Sequence, residues 1–281
     1  MVSIVIPAHN EAATIGRCLK QLLSEEISPR LEIVVVCNGC NDRTAEIARQ
    51  FGDCVTVVET DVASKVHALN LGDQAAQGYP RIYMDADVVL SPGDIREIAR
   101  TLEKGGPVLA AAPRMVMDFS RASWTVRAFY RVWMALPYTR RGMMGVGVYA
   151  LSEGGRRRFG CFPNVIADDG YVRVLFKPHE RSAVDDAKSI ISAPATLGDL
   201  IKIKTRSRLG GYQLAQRFPE LLKNDDKHYG VALRGLLGQP SLWPSIPFYL
   251  YVNMMARWRA RRQLQNFDRY VWERDESSRR G

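Results

Sequence analysis

Cysteine, histidine and long apolar runs are all scarce in this chain, and each shortage excludes something. Five cysteines at irregular spacing make no disulfide framework, and a reducing cytoplasm is their expected home. Cys37 and Cys40 spell one C-x-x-C, but no second pair and no spaced histidine pair completes a zinc site. Cys37 is therefore expected to end a buried strand and Cys40 to stand in the loop after it. The strongest apolar stretch, Leu242 to Ala256, is shorter than the ~20 residues that cross a bilayer and contains two prolines. The first strand is read from Val2, so no leader peptide is expected. Disorder is expected only at Glu276 to Gly281.

Charge imbalance is missing from most of the chain. Residues 1–201 carry 23 Lys+Arg and 23 Asp+Glu, whereas residues 202–281 carry 16 and 7, so the whole excess of +9 lies in the C-terminal part. A basic tail of this kind meets nucleic acid, diphosphates or an anionic membrane surface. No nucleic-acid module accompanies it, so no nucleic-acid partner is expected. With 46% hydrophobic and 25% charged residues, the 281-residue chain has the composition of a soluble globular protein. It is long enough for one large α/β domain with a helical appendage.

Along the N-terminal half, short apolar runs alternate with helical spacings. Val2 to Ile6, Leu31 to Val36, Val55 to Val58, Arg81 to Met84 and Val108 to Ala112 read as strands. Between them, Glu11 to Leu23, Asp42 to Phe51, Ser64 to Ala76 and Gly93 to Leu102 read as helices, with Asn41 or Asp42 a candidate N-cap. This alternation predicts a mainly parallel sheet with helices on both faces, and ligands bind beyond the carboxyl ends of such strands.

One pair of acids stands at such an end. Asp85-Ala86-Asp87 follows Ile82-Tyr83-Met84, and two carboxylates so placed are costly unless a cation sits between them. A hard divalent ion shared with substrate phosphates answers that need. Other candidates fall at the neighbouring strand ends: Pro7-Ala8-His9-Asn10-Glu11, then Asn38 to Thr44, then Lys65 with Ala68-Leu69-Asn70 and Gly72. In this order and spacing the chain resembles the family-two glycosyltransferases, nucleotide-sugar enzymes of the GT-A fold, over about residues 2–210.

The resemblance implies a GT-A domain at 1–210, with a nucleotide-sugar half at 1–114, an acceptor half at 115–210, and a basic helical extension at 211–281. It places Pro7, His9, Asn10 and Glu11 beneath the nucleoside and the Asn38 to Thr44 loop at the base. Lys65 falls at base or phosphate, Asp85 beside the ribose, and Asp87 on Mg2+ or Mn2+ bridging the diphosphate. Where many members have two acids this chain has Cys37-Asn38, which leaves UDP-, GDP- and dTDP-sugars open as donors. Asp168-Asp169 resembles the family's acidic pair at a helix start, whose second member is the general base. That role falls on Asp169, with Asp168 the next candidate and helix N-capping the competing use. Arg206 and Arg208 resemble basic residues that members place over the diphosphate, in a segment expected to follow a helix and lead to Gly210-Gly211. His179 is a further candidate metal ligand.

Gly142 to Leu151 is glycine-rich and apolar, fit for close backbone approach to a ligand or for a tightly packed strand. Leu242 to Arg262 reads as an aromatic interfacial segment with arginines at headgroup level, a dimer interface, or packing on the catalytic domain. The expected function is transfer of a sugar, with inversion, to a glycan or lipid-linked acceptor hydroxyl in the cytoplasm or at the inner membrane face. Retaining transfer, nucleotidyl transfer and a catalytically inactive nucleotide-sugar binder are the alternatives. The first strand leads into Pro7-Ala8-His9-Asn10-Glu11 rather than a glycine-rich phosphate loop, which argues against nucleotidyl transfer.

Overall fold

β-Branched runs set the centre of the sheet. The computed structural model describes residues 1–25, 30–103, 105–136, 139, 147–225 and 238–265. Strand β1 (Val2–Ala8) is buried along its whole length and pairs in parallel with β2 (Leu31–Asn38), from Val2 against Leu31 to Ala8 against Cys37. β3 (Val55–Thr60) lies outside β2, and β4 (Arg81–Met84) runs parallel to β1 on its other side. The described sheet has seven strands in the order β3-β2-β1-β4-β6-β5-β7, where β5 is Ala110–Asp118, β6 Val148–Leu151 and β7 Arg181–Ser192. Only β6 is antiparallel to its neighbours β4 and β5. The expected α/β, mainly parallel sheet is therefore present.

Helices cover both faces because the strands are apolar on both. α1 (Ile15–Leu22), α2 (Thr44–Arg49) and α4 (Pro92–Glu103) pack against Ile4, Ile6, Ile33 and Val35. α3 (Lys65–Ala75) and α7 (Asp168–Leu175) cover Val5, Val34 and Val36 on the other side. α5 (Trp124–Ala135) and the short α6 (Glu153–Arg156) follow β5 and β6. A third cluster joins α5, α8 (Leu197–Arg217) and α9 (Ile246–Gln265) through Val126, Phe129, Leu200, Ile201, Tyr249 and Val252.

Several elements depart from the sequence expectation. α1 starts at Ile15 rather than Glu11, because the Glu11 N–H donates to Thr44 Oγ1 at 2.8 Å and its carboxylate takes the Thr14 hydroxyl. At α2 the N-cap position is Arg43, although Asp42 accepts the Thr44 N–H at 3.0 Å. β5 runs on to Asp118, and its register shifts at Pro113/Arg114 to pair with β7, a strand the sequence did not disclose. The exposed Asp185 and Asp186 interrupt β7's alternation at that shift. The segment with Arg206, Arg208 and Gly210-Gly211, expected to follow a helix, lies inside α8. Residues 142–146 of the glycine-rich run and the tail 276–281 lie outside the described residues.

The two glycines in α8 have opposite surroundings. A Cβ on Gly210 would stand 2.7 Å from the Ala167 Cβ and 3.1 Å from its backbone nitrogen, whereas one on Gly211 would meet nothing within 4 Å. Gly211→Ala should therefore raise stability by about 0.5–1 kcal/mol through helix propensity. Gly210→Ala should lower it by about 1–3 kcal/mol through overpacking against the residue that leads into Asp168. Urea unfolding of both variants reads the difference, and equal effects would contradict it.

Candidate functional site

Two loops at the carboxyl ends of β1 and β2 are tied into one platform. The His9 ring donates through Nδ1 to the Asn38 carbonyl. Asn10 has a left-handed backbone (φ 52), a conformation asparagine tolerates, and its Oδ1 accepts the Asn41 N–H at 2.7 Å. The Cys40 sulfur accepts the Asn10 N–H and donates to the Ala8 carbonyl, both at 3.4 Å. Asn38 is only 3% exposed, and its Nδ2 donates to Ala8 at 2.9 Å. The amide donor expected at a base edge is thus engaged with β1 itself.

A cavity opens beside this platform, between β4 and the start of α7. Lys65, Asp85, Gly147, Tyr149, Asp168 and Asp169 line it, over a floor of Pro7, Leu69, Tyr83 and Met84. Lys65 is the first residue of α3, whose N-cap Ser64 accepts the His67 N–H. Its Nζ stands 2.7 Å from Asp85 Oδ1 and 3.1 Å from Asp168 Oδ1. One ammonium therefore joins an acid from position 85 to an acid 83 residues later. Asp168 is buried, with 4% of its side chain exposed, and its second oxygen accepts the Tyr149 hydroxyl at 3.2 Å. The adjoining Asp169 is half-buried, and its Oδ1 accepts the Gly170 N–H at 2.6 Å.

These contacts set the proton affinities. Burial pushes the Asp168 carboxyl up, Lys65 opposes that, and the charges of Asp169 and Asp85 add to it, so the net direction is upward. Burial alone would lower the Lys65 pKa, but Asp168, Asp85 and Asp169 outweigh it and the ammonium is held more firmly than usual. The Tyr149 phenol is pushed well up, first by burial and then by Asp168, so it remains a donor.

The cavity's shape depends on residues with no motif to announce them. The Tyr149 ring stacks on Tyr83 with centroids 5.0 Å apart. The Tyr83 hydroxyl donates to Asp73 at 2.6 Å, and Asp73 is clamped by Arg81 and Arg156, each at 2.6 Å. Gly147 (φ 69) gives its carbonyl to the Asp85 N–H at 2.8 Å, and a Cβ there would come 2.8 Å from the Val88 side chain. Any other residue would be strained there and would press on the loop that holds Asp85.

Among the sequence candidates, Pro7, Lys65, Asp85, Asp168 and Asp169 meet at the cavity. Asp87 is half-buried in the same loop but does not line it; it lies toward α1, where its charge adds to the burial that pushes the Cys18 thiol up to about 12. Asp168 and Asp169 fall in the first turn of α7 behind the N-cap residue Ala167, and neither is the N-cap. Arg206 and Arg208 lie within α8, outside the cavity lining, and Arg208 donates to Asn253 of α9 at 3.2 Å. His179 is exposed just before β7, at the edge where the parallel strands begin, opposite the Asp85 edge.

The model of the glycosyl transferase family 2 matches residues 3–152, more than half of the chain and including both β-loops and the Asp85 loop. The chain belongs to that family. Over 91 residues it is 34% identical to glycosyltransferase AglE of Haloferax volcanii, covering 31% of this chain and 30% of that protein. Over 134 residues it is 29% identical to an undecaprenyl-phosphate 4-deoxy-4-formamido-L-arabinose transferase of Pseudomonas aeruginosa, covering 45% and 40%. The chain thus spans less than half the length of these curated relatives. In fold it is similar to a Pyrobaculum calidifontis mannosyltransferase solved with GDP-Man and Mn2+, with a TM-score of 0.66 and 19% identity over 96% of this chain and 88% of the other. It is also similar to glucosyl-3-phosphoglycerate synthase of Mycobacterium tuberculosis, with a TM-score of 0.54 and 18% identity over 77% and 79%. The fold of this family-two member is therefore that of GT-A glycosyltransferases.

The ion-paired cavity makes a pH-dependent prediction. Lys65→Met removes the ammonium and leaves Asp168 buried beside Asp169 and Asp85. The carboxyl's upward shift then grows, and a raised carboxyl pKa costs stability as pH climbs past the ordinary value near 4. The variant should lose about 2 kcal/mol at pH 7.5, discounted for the 27% exposure of the Lys65 side chain, and less at pH 4.5. Urea titrations at the two pH values check this; an equal loss at both would contradict the ion-pair account.

Proposed function

We propose that this chain transfers a sugar from a nucleoside diphosphate to an acceptor hydroxyl, with inversion, and that Asp169 is the general base. The observation that carries this reading is the meeting of Asp168-Asp169 with Asp85 in one cavity at the carboxyl end of β4. Asp168 has both oxygens engaged, by Lys65 and Tyr149, and serves to hold the start of α7 in place. Asp169, half-buried beside it, faces the cavity and can take a proton. As the acceptor oxygen bonds to the anomeric carbon, the bond from that carbon to the diphosphate oxygen breaks. The hydroxyl proton passes to Asp169, and the nucleoside diphosphate leaves with the bonding pair. The domain division at residue 210 expected from sequence belongs to the same proposal.

The donor set favours a divalent cation. Three carboxylates, Asp85, Asp168 and Asp169, face a single ammonium, so the cavity is formally anionic and would repel a bare diphosphate. Among the described residues no group of three or more His, Cys, Asp or Glu could hold a metal ion by itself. Mg2+ or Mn2+, shared between few carboxylates and the substrate phosphates, would answer the charge of the cavity. The family resemblance assigns the ion to Asp87, which stands in the same loop as Asp85 but outside the cavity lining, and a bound ion would neutralise charge on the leaving diphosphate. The mannosyltransferase of similar fold solved with GDP-Man and Mn2+ supports the use of a divalent cation. Pro7, His9, Asn10, Glu11 and the Asn38 to Thr44 loop are assigned to the nucleoside, Asp85 to the ribose side, and Arg206 and Arg208 to the diphosphate. The acceptor is a glycan or lipid-linked hydroxyl at the cytoplasmic side of a membrane; relatives named for undecaprenyl-phosphate and diaponeurosporenoate support a lipid acceptor, although those lipids offer phosphate and carboxylate oxygens rather than a hydroxyl.

Two substitutions separate the roles. Asp87→Asn should weaken Mn2+-dependent binding of UDP, GDP or dTDP, whichever the wild type binds, by about tenfold or more in calorimetry. Asp169→Asn should keep that binding and lose about 10²–10⁴-fold in turnover. Near-normal turnover in the second variant would move the base elsewhere, and unchanged affinity in the first would remove Asp87 from the metal.

A further inference from the structure

Outward positions on a surface helix are ordinarily polar. On α9 they are not. Its inward residues Tyr249, Val252, Ala256 and Ala260 are buried. Three and four residues apart on the opposite side stand Leu250, Tyr251, Met254 and Trp258, all exposed, Met254 by 60%. Trp243, in the turn leading into α9, is exposed as well. Trp124, at the start of α5 and 67% exposed, packs edge-on against Phe248 of α9 with centroids 4.9 Å apart. Two helices from distant parts of the chain thus build a single apolar and aromatic patch.

Toward the end of α9 the same face becomes cationic. Arg257, Arg261 and Arg262 are exposed there, and the Arg262 guanidinium lies 4.1 Å from the centre of the Trp258 ring. Residues 238–265 contain no Asp or Glu. Among the described residues no helix is long and apolar enough to cross a membrane.

We propose that this face docks flat on an anionic lipid surface. The tryptophans, Leu250 and Met254 enter the headgroup boundary while the arginines meet lipid phosphates. The charge decides among occupants, since a second copy's own segment 238–265 would add arginines and no carboxylate to meet them, whereas an anionic leaflet complements them. Topology also places the patch. β4 and β5 point the same way, both being antiparallel to β6. β5 therefore ends at the edge where Asp85 emerges, and α5 begins there, with the Ser123 N–H bonded to the Ala195 carbonyl just past β7. Trp124 thus lies at the edge of the sheet that carries the cavity. Resting on the transferase reading, this geometry brings the cavity close to a leaflet from which a lipid-linked acceptor is taken.

Co-sedimentation with vesicles tests the docking. The full chain should pellet with phosphatidylglycerol-containing vesicles, much less with phosphatidylcholine alone, and less as salt rises. Leu250→Gln/Met254→Gln should weaken vesicle binding by about tenfold or more, with an unchanged thermal melt, because both side chains are already in water. Trp124→Ala, on the other helix, should weaken it in the same direction. A wild type that stays in the supernatant at low salt would overturn the proposal, as would variants that pellet like wild type. So would a dimer in analytical ultracentrifugation that the same substitutions dissociate. Nucleotide binding, read by thermal shift with Mn2+, keeps the two ideas apart: vesicle binding without nucleotide binding would sink the transferase reading and leave the docking.

Discussion

The Lys65 ammonium is the interaction on which the rest of the site depends. It sits between an acid from the loop after β4 and an acid from the start of α7, so two halves of the chain share one counterion. Neither carboxylate would be inexpensive there alone, and Asp168 in particular is buried and already shifted upward. Lys65 is also fixed in turn, because the N-cap Ser64 sets where α3 begins. Moving α3 along its axis would loosen both carboxylates together. The position of a helix on one face of the sheet is thereby converted into the spacing of acids around a cavity.

Around that centre, rigidity is layered. Asp73, clamped by two arginines, holds the Tyr83 hydroxyl; Tyr83 stacks on Tyr149; Tyr149 donates to Asp168. The two hydroxyls and the Asp73 carboxylate are satisfied along this chain, which lets a charged network persist close to the core, although the buried Nε of Arg81 has no hydrogen-bond partner among the described residues. The outer helices work differently. α8 and α9 are joined mainly by apolar contact, supplemented by Arg208 on Asn253, and Lys204 lies over the rings of Phe129, Tyr130 and Trp133 of α5. Packing without a chain of buried charges is suited to carrying a surface rather than a reaction centre.

The first four strands were legible in the sequence because buried parallel strands read as continuous β-branched runs, and Leu31 to Val36 is such a run. Their ends located the Asp85, Lys65 and Asn38 candidates, since the topology puts every such end on one edge. The rest needed tertiary information. β7 was hidden because its alternation breaks where its register shifts, at Asp185 and Asp186. The segment from Arg206 to Gly211 was expected to follow a helix, but it lies inside α8, where Gly210 lets the helix approach Ala167. Asn38 looked like a base reader, yet its amide is engaged by the Ala8 carbonyl, thirty positions earlier. Tyr149 carries no motif, and only its meeting with Asp168 gives it a role.

The reversed strand β6 has a consequence for the order in which the molecule can be completed. During synthesis β1 to β4 emerge first, and the free edge of β4 has no partner until Val148–Leu151 arrives to pair with it. At about 5–20 residues per second, the 67 residues from Met84 to Leu151 take roughly 3–13 s, during which that edge stays open to any other strand. Lys65 has only Asp85 as a partner for longer still, since Asp168 has not yet been made. The nascent N-terminal half therefore spends seconds with an unpaired strand edge and a lysine that holds one of its two acids. Closure of both awaits the second half of the chain.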